Sequence, residues 1–341
     1  MAAPSASAPS GSIGTGWSEP VSGGEVRYGT AGWSFPDWYG PFYPARHELP
    51  ADGGPGPLFG GPLAPPPDPD VGLCRRDPLA FYARWFDAVE VNASFYRIPE
   101  PGTVERWVRT TARSEGPPFL FAFKLPSGFT HERAPLERQE LRAFRTCLEP
   151  VQGAGVLGAV LAQFPHSFRW GEAAREHLGR VIAALSDLPL VVEVRHRSWE
   201  EEAALEHLRR SGAALCNVDQ PPVDGSMLAP AARVTTPRLA YVRLHGRNVR
   251  SWFARDAGRD ARYDYLYGPD ELGEWAERID HLSGLAERTL VIANNHYRGQ
   301  APANALELRR LREGPQVPVP APLARTYPRL VASPGAGGRR A

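Results

Sequence analysis

The chain has 341 residues, 42% hydrophobic and 23% charged, a globular composition with enough apolar surface for a sizeable core. Its 39 basic and 38 acidic residues leave a formal net charge of +1, which excludes a general polyanion binder and confines any nucleic-acid site to a local patch. Three widely spaced cysteines, Cys74, Cys147 and Cys216, exclude a disulfide framework and a Cys-rich zinc module and fit a reducing compartment.

Residues 1–25 are rich in Ser, Gly, Pro and Ala and predict a disordered tail. The opening MAAPSASAPSGSIGTG has no basic segment leading into an apolar one, so no secretory leader is read there. No apolar run approaches the roughly 18 residues that span a bilayer, and the expected location is cytoplasmic, with no membrane partner. A first strand is predicted over Val26–Ala31, followed by an aromatic loop holding Trp33, Phe35, Trp38, Tyr39, Phe42 and Tyr43. Residues 45–76, with GGPGPLFGGPLAPPPDPD, read as a Pro/Gly-rich surface insertion. Asp77-Pro78 then offers an N-cap acid and a proline for the first helical position.

Beyond it, strand-like and helix-like runs alternate. Strands are expected at Ala88–Ser94, Phe119–Lys124, Leu157–Gln163, Leu190–Arg195, Ala213–Asp219, Ala240–His245 and Thr289–Asn294. Helices are expected at Pro78–Phe86, Thr103–Ala112, Glu137–Leu148, Glu172–Leu185, Glu200–Arg210, Pro269–Leu282 and Ala303–Leu311. Gln220–Arg238 is Pro-rich with no clear helix, and residues 314–341 read as a second disordered tail. The alternation predicts an α/β fold, a single (β/α)8 TIM-type barrel over residues 26–313. A doubly wound sheet would announce itself with a glycine-rich phosphate loop, and GTAGWSF after the first strand is not one.

In such barrels the chemistry lies at the carboxyl ends of the strands, on the side chains of one parity. Polar residues collect there: Glu90, Asn92 and Ser94; Lys124; Gln163; Glu193 and Arg195; Asn217 and Asp219; Arg243, His245 and Arg247; Asn294, Asn295 and His296. Burying so many ionisable groups is costly unless they pair or do chemistry. Lys124 is the one lysine among 39 basic residues. It is either paired to Glu90 or Glu193, or it works as a cationic ligand or a Schiff-base amine. Glu90, Glu193, Asp219, His245 and His296 are reasonable metal ligands, but Lys124, Arg195, Arg243 and Arg247 on the same rim favour an anion over a dication. No metal or other cofactor is therefore assigned. Trp33 and Tyr96 are candidates for stacking on a ring of the ligand.

The segments GTAGWSFPDWYGPFYP, VEVNASFYRIPEPGTVERW, FAFKLPSGFTHER, LAQFPHSF, VEVRHRSW, YVRLHGR and NNHYRGQAPANA together resemble the YecE-like family, domain of unknown function 72. The resemblance runs from about Val26 to Leu311 and implies a TIM-type barrel whose activity is not established. It points to Trp33, Glu90, Asn92, Phe95, Tyr96, Lys124, Thr130, His131, Gln163, Glu193, Arg195, His196, Trp199, Asp219, Arg243, His245, Gly246, Asn294 and Asn295. Family members are similar in shape to endonuclease IV and sugar-isomerase barrels, but this chain lacks the dense zinc-ligand set of that nuclease.

Three functions follow as expectations. The first is an enzyme acting on an anionic or phosphate-bearing ligand, a nucleic acid or sugar phosphate. Glu90 or Glu193 would be its acid or base and His245 a second proton carrier. Lys124, Arg195 and Arg243 would grip the anion, and Asn92, Gln163 and Asn294 would orient it. The second is a lyase or aldolase using Lys124 as a Schiff-base amine. The third is a non-catalytic barrel that binds nucleic acid or a protein.

Overall fold

Eight runs of mostly apolar residues, buried on both faces, form the strands of a parallel sheet, as sheets covered by helices require. They are β1 (Glu25–Ala31), β2 (Ala88–Val91), β3 (Leu120–Lys124), β4 (Leu157–Gln163), β5 (Leu190–Glu193), β6 (Ala214–Asp219), β7 (Leu239–Leu244) and β8 (Arg288–Ala293). The structure is a computed structural model and describes residues 23–45, 69–132, 138–227, 232–252 and 259–332. Each strand pairs in parallel with the next, and β8 returns to β1, so the sheet closes into the expected (β/α)8 TIM-type barrel.

The helices are, in chain order, α1 (Pro69–Arg76), α2 (Pro78–Tyr82), α3 (Ala93–Tyr96), α4 (Pro101–Thr110), α5 (Ser127–Thr130), α6 (Arg138–Gly153) and α7 (Glu172–Ala184). Then come α8 (Glu202–Ser211), α9 (Val249–Trp252), α10 (Arg259–Arg262), α11 (Pro269–Ser283), α12 (Gln300–Glu313) and α13 (Ala321–Thr326). Asp77 caps α2 as its sequence suggests, its carboxylate accepting from the Leu79 amide at 2.9 Å. Among the described residues, no helix is long and apolar enough to cross a membrane.

Strand parity decides what faces the barrel axis. Ala88, Leu120, Ala122, Ala159, Leu161, Val191, Ala214, Cys216, Val218, Leu239, Tyr241, Leu290 and Ile292 form one buried inner cluster. Continuing each of those alternations towards the carboxyl ends puts Glu90, Lys124, Gln163, Glu193, Arg243, His245 and Asn294 on the same inner side. In β6 the inner residues are Cys216 and Val218, so Asn217 and Asp219 face the helices, contrary to expectation.

Three further expectations are corrected. β2 ends at Val91, because the Ser94 hydroxyl donates to the Val91 and Lys124 carbonyls (2.9 and 2.6 Å) and the chain turns into α3. The insertion, of which residues 46–68 lie outside the described residues, ends by Pro69, where α1 begins and buries Cys74. The C-terminal segment is ordered as far as residue 332: α13 and the turn Pro328–Leu330 pack on the barrel through Val317, Leu323 and Leu330, all buried. Arg329 holds it there with a 2.8 Å ion pair to Glu307. Pro322 and Pro328 stand in the first turns of short helices, at positions where no N–H is needed. Residues 1–22 and 333–341, both expected to be disordered, lie outside the described residues.

Leu323→Ala removes a fully buried side chain and is expected to cost about 2–5 kcal/mol in urea unfolding. A change within error would mean that this segment does not pack on the barrel.

Candidate functional site

The inner polar residues build two layers at the carboxyl ends of the strands. The lower layer is an ion network centred on Arg243, whose guanidinium is fully buried. One of its nitrogens donates to Glu90 at 2.7 Å and another to Glu193. The second Glu90 oxygen accepts from the Tyr241 hydroxyl (2.9 Å), and the second Glu193 oxygen accepts from Arg195 (2.8 Å). Burial works against the charge of Glu193, yet Arg243, Arg195 and His245 hold its carboxyl well below the ordinary value. Both carboxylates are wholly shielded from solvent.

His245 completes this layer. Burial is the main cause that depresses its pKa, to about 3, so the ring is neutral. The Asn294 amide donates to its Nδ1 (2.8 Å), which leaves the Nε2 proton for Glu193, 3.3 Å away.

Above this floor opens a cavity of about 420 Å3. Of the residues singled out from the sequence, Trp33, Asn92, Tyr96, Lys124, Gln163, Arg195, Arg243 and Asn294 line it. Glu90, Glu193 and His245 do not line it and are fully buried. Lys124, at the end of β3, has its amine 3.9 Å from the centre of the Phe95 ring. Among the described residues no carboxylate forms a salt bridge with it, because those of Glu90 and Glu193 are taken by arginine. Burial, and next the charge of Arg243, lower its pKa to about 7. His131 packs edge-on against the same Phe95 (4.9 Å) and is pushed down to about 4 by burial and by Lys124.

Three expected site residues lie elsewhere. Asp219, on the outer face of β6, accepts from Arg247 (2.8 Å) and from the Trp275 indole of α11 (2.5 Å). Arg247 also pairs with Glu271 at 2.9 Å. It leaves the parity of Arg243 and His245 because the chain turns at Gly246, whose φ of +88° and close approach to Tyr265 exclude a side chain. Asn295 points away from the axis and donates to the Tyr265 carbonyl and to Asn304, both at 2.8 Å. Without Arg247, and with Arg195 and Arg243 matched by two glutamates, the cation surplus facing the cavity among the described residues is Lys124 alone.

The aromatic residues divide in a similar way. Trp38, Phe42, Tyr43 and Trp199 are core. Trp33 and Phe35 line the cavity, joined by His296 and by two rings the sequence reading overlooked, Trp107 of α4 and Tyr263 before β8. Trp107 was visible as the aromatic of the motif PGTVERW; Tyr263 lies far from any strand end and carried no signal. Among the described residues no three His, Cys, Asp or Glu side chains are placed to hold a metal ion together.

Glu193→Gln should leave Arg243 and Arg195 short of one counter-charge and cost about 3–5 kcal/mol of stability at pH 7. The folded-state pKa of Glu193 lies below its free value of 4.5, so its contribution is complete above that value and fades as the pH falls. The gap between wild type and variant in urea unfolding should therefore shrink on acidification. A gap that stays constant down to pH 3 would contradict this assignment.

The family described as "Protein of unknown function DUF72" matches residues 69–326, a stretch that begins after the GTAGWSF segment. The UPF0759 protein YunF of Bacillus subtilis (strain 168) is 30% identical over 245 residues, 68% of this chain and 86% of that one. The UPF0759 protein YecE of Escherichia coli (strain K12) is 32% identical over 152 residues, 42% of this chain and 53% of its own. The crystal structure of a DUF72 family protein from Thermotoga maritima superposes with a TM-score of 0.66 at 31% identity, over 85% of this chain and 99% of its own. One from Enterococcus faecalis gives 0.62 at 28% identity, over 69% and 88%. The chain thus belongs to the DUF72 family, the YecE-like barrels whose function is not established.

Proposed function

We propose that this barrel is an enzyme that binds a small carbonyl compound through the Lys124 amine, as a Schiff-base lyase or aldolase does. The observation that carries the reading is the state of that amine. It lies in the cavity, unpaired by carboxylate among the described residues, with its pKa lowered to about 7 by burial and by Arg243. Desolvation beside another cation is how a lysine becomes a nucleophile at neutral pH. The neutral amine adds to the carbonyl carbon, its proton passes to the oxygen, and loss of water leaves an imine. The buried network of Glu90, Arg243, Glu193 and His245 fixes the floor on which the substrate rests. With both carboxylates saturated and His245 neutral at ordinary pH, this layer suits positioning better than the proton transfer expected of it.

A second reading keeps an anionic or phosphate-bearing ligand, with Lys124 as proton donor. It is favoured by the convergence of Lys124, Arg195 and Arg243 on one cavity.

The two separate in a trapping experiment. Borohydride reduction in the presence of small aldehydes or 2-oxo acids should give a stable adduct at Lys124, mapped by peptide mass spectrometry and absent in Lys124→Met. Because Lys124 is the chain's single lysine, the N-terminal amine is the only competing primary amine. Labelling should rise with pH through one ionisation near 7, since the ammonium form below it cannot add. No adduct with any carbonyl, together with turnover of a phosphate ester, would favour the second reading. Binding of nucleic acid without product would favour a non-catalytic barrel.

Lys124→Met has a second expected outcome. A lysine whose folded pKa lies below its free value of 10.5 opposes folding in full below about pH 7, and the opposition fades as the pH rises towards 10.5. The variant should therefore be more stable than wild type, by up to about 5 kcal/mol at pH 6 and by up to about 2 kcal/mol at pH 9. Equal stability at both values would argue against a desolvated amine.

A further inference from the structure

The rings of the cavity form an aromatic half on one side of its mouth, and Lys124 stands at the edge of that half. Trp33 and Phe35 follow β1, Tyr96 and Trp107 follow β2, Tyr263 follows β7 and His296 follows β8. These four strands are neighbours in the closed barrel, so the six rings occupy one side of the mouth. Gln163 and Arg195, from β4 and β5, line the other side, and Lys124 comes from β3 between the two groups.

The rings hold one another in place. Trp33 meets Trp107 edge-to-face at 5.1 Å, Phe35 stacks on His296 at 4.6 Å, and His296 meets Tyr263 at 4.9 Å. Tyr96 keeps 82% of its surface exposed at the opening, where its ring is accessible to a bound molecule.

The polar groups of the lining, on both sides, are by contrast largely engaged within the protein. Gln163 donates to the Phe164 carbonyl (3.2 Å), Asn294 to His245 (2.8 Å), and both arginines to glutamates. Apart from Lys124, Asn92 is the lining amide without a hydrogen bond among the described residues. A hydroxyl-rich sugar chain would find few partners here, and unpaired polar groups are what a site rejects most strongly. At about 30 Å3 per water-sized unit, a cavity of about 420 Å3 takes a ligand of roughly a dozen non-hydrogen atoms. A two- or three-carbon carbonyl compound would leave most of it empty.

We propose that the substrate is an aryl-substituted carbonyl compound. Its ring lies against the aromatic half, its carbonyl carbon meets the Lys124 amine, and the Asn92 amide donates to the carbonyl oxygen. The proposal rests on the Schiff-base reading.

The test is a competition for reductive labelling by cyanoborohydride, with phenylpyruvate against pyruvate and N-acetyl-lysine methyl ester in the same tube as the reference amine. The phenyl compound should label Lys124 about ten-fold faster than pyruvate once each rate is divided by that of the reference, the worth of one good aromatic contact. Trp33→Ala should bring that ratio towards one. A ratio of one in the wild type overturns the aryl assignment and leaves the Schiff base standing. If neither compound labels Lys124, the Schiff-base reading falls, and calorimetry with 3-phenylpropanoate and propanoate, which form no imine, decides the remainder. Binding of the phenyl acid alone, weakened in Trp33→Ala, keeps the aryl site, whereas equal or absent binding removes it.

Discussion

Two glutamates share one arginine at the centre of this barrel, and the character of the mouth follows from that arrangement. Arg243 enters from β7 and meets Glu90 from β2 and Glu193 from β5, so one guanidinium ties three strands across the axis. A buried ion triad of this kind contributes little net stability compared with apolar packing, but breaking it is expensive. Its value is geometric. It fixes a charged floor in which every carboxylate oxygen accepts a hydrogen bond, with Tyr241 and Arg195 closing the acceptors that Arg243 leaves. Lys124 is then left above two carboxylates that cannot neutralise it. Burial is the main cause of its lowered pKa, the charge of Arg243 comes next, and Glu90 and Glu193 offset them only in part.

Much of this was legible in the sequence, and the failures are instructive. Alternation along β4, β7 and β8 correctly put Gln163, Arg243, His245 and Asn294 on the inner side, because only one phase of those strands was apolar to the end. In β6 the same logic chose the wrong phase. Both phases of ALCNVD can be buried, and the polar one finds its partners in the helix layer, where the Trp275 indole and Arg247 satisfy Asp219. Parity cannot reveal partners that lie on a helix some fifty residues further along the chain. It also cannot follow a chain through a turn, which is why Arg247, one residue past the left-handed Gly246, was misplaced.

The pairing of the lysine was likewise beyond the sequence. Its uniqueness in an arginine-rich chain drew attention to it, but a salt bridge to Glu90 or Glu193 was as consistent with the residues as a free amine. What decides between them is which cation reaches the carboxylates first in space. Composition misled at the C-terminus for a related reason: prolines there mark helix starts, and three buried apolar side chains outweigh the tally of residues that favour disorder.

The closure of the sheet bears on how the chain is made. β1 is hydrogen-bonded on one side to β2 and on the other to β8, so its second edge can be satisfied only when residues near 290 exist. Glu25, at the start of β1, is salt-bridged to Arg288 at the start of β8 (3.0 Å), which pins the register of that seam. During synthesis the growing sheet therefore carries two open edges for most of its length, and pairing between residues so far apart is slow to form. A nascent chain of this protein is most exposed to edge-to-edge association just before its last strand emerges, and α12, which follows β8 and packs on both β1 and β8, covers the seam once it has closed.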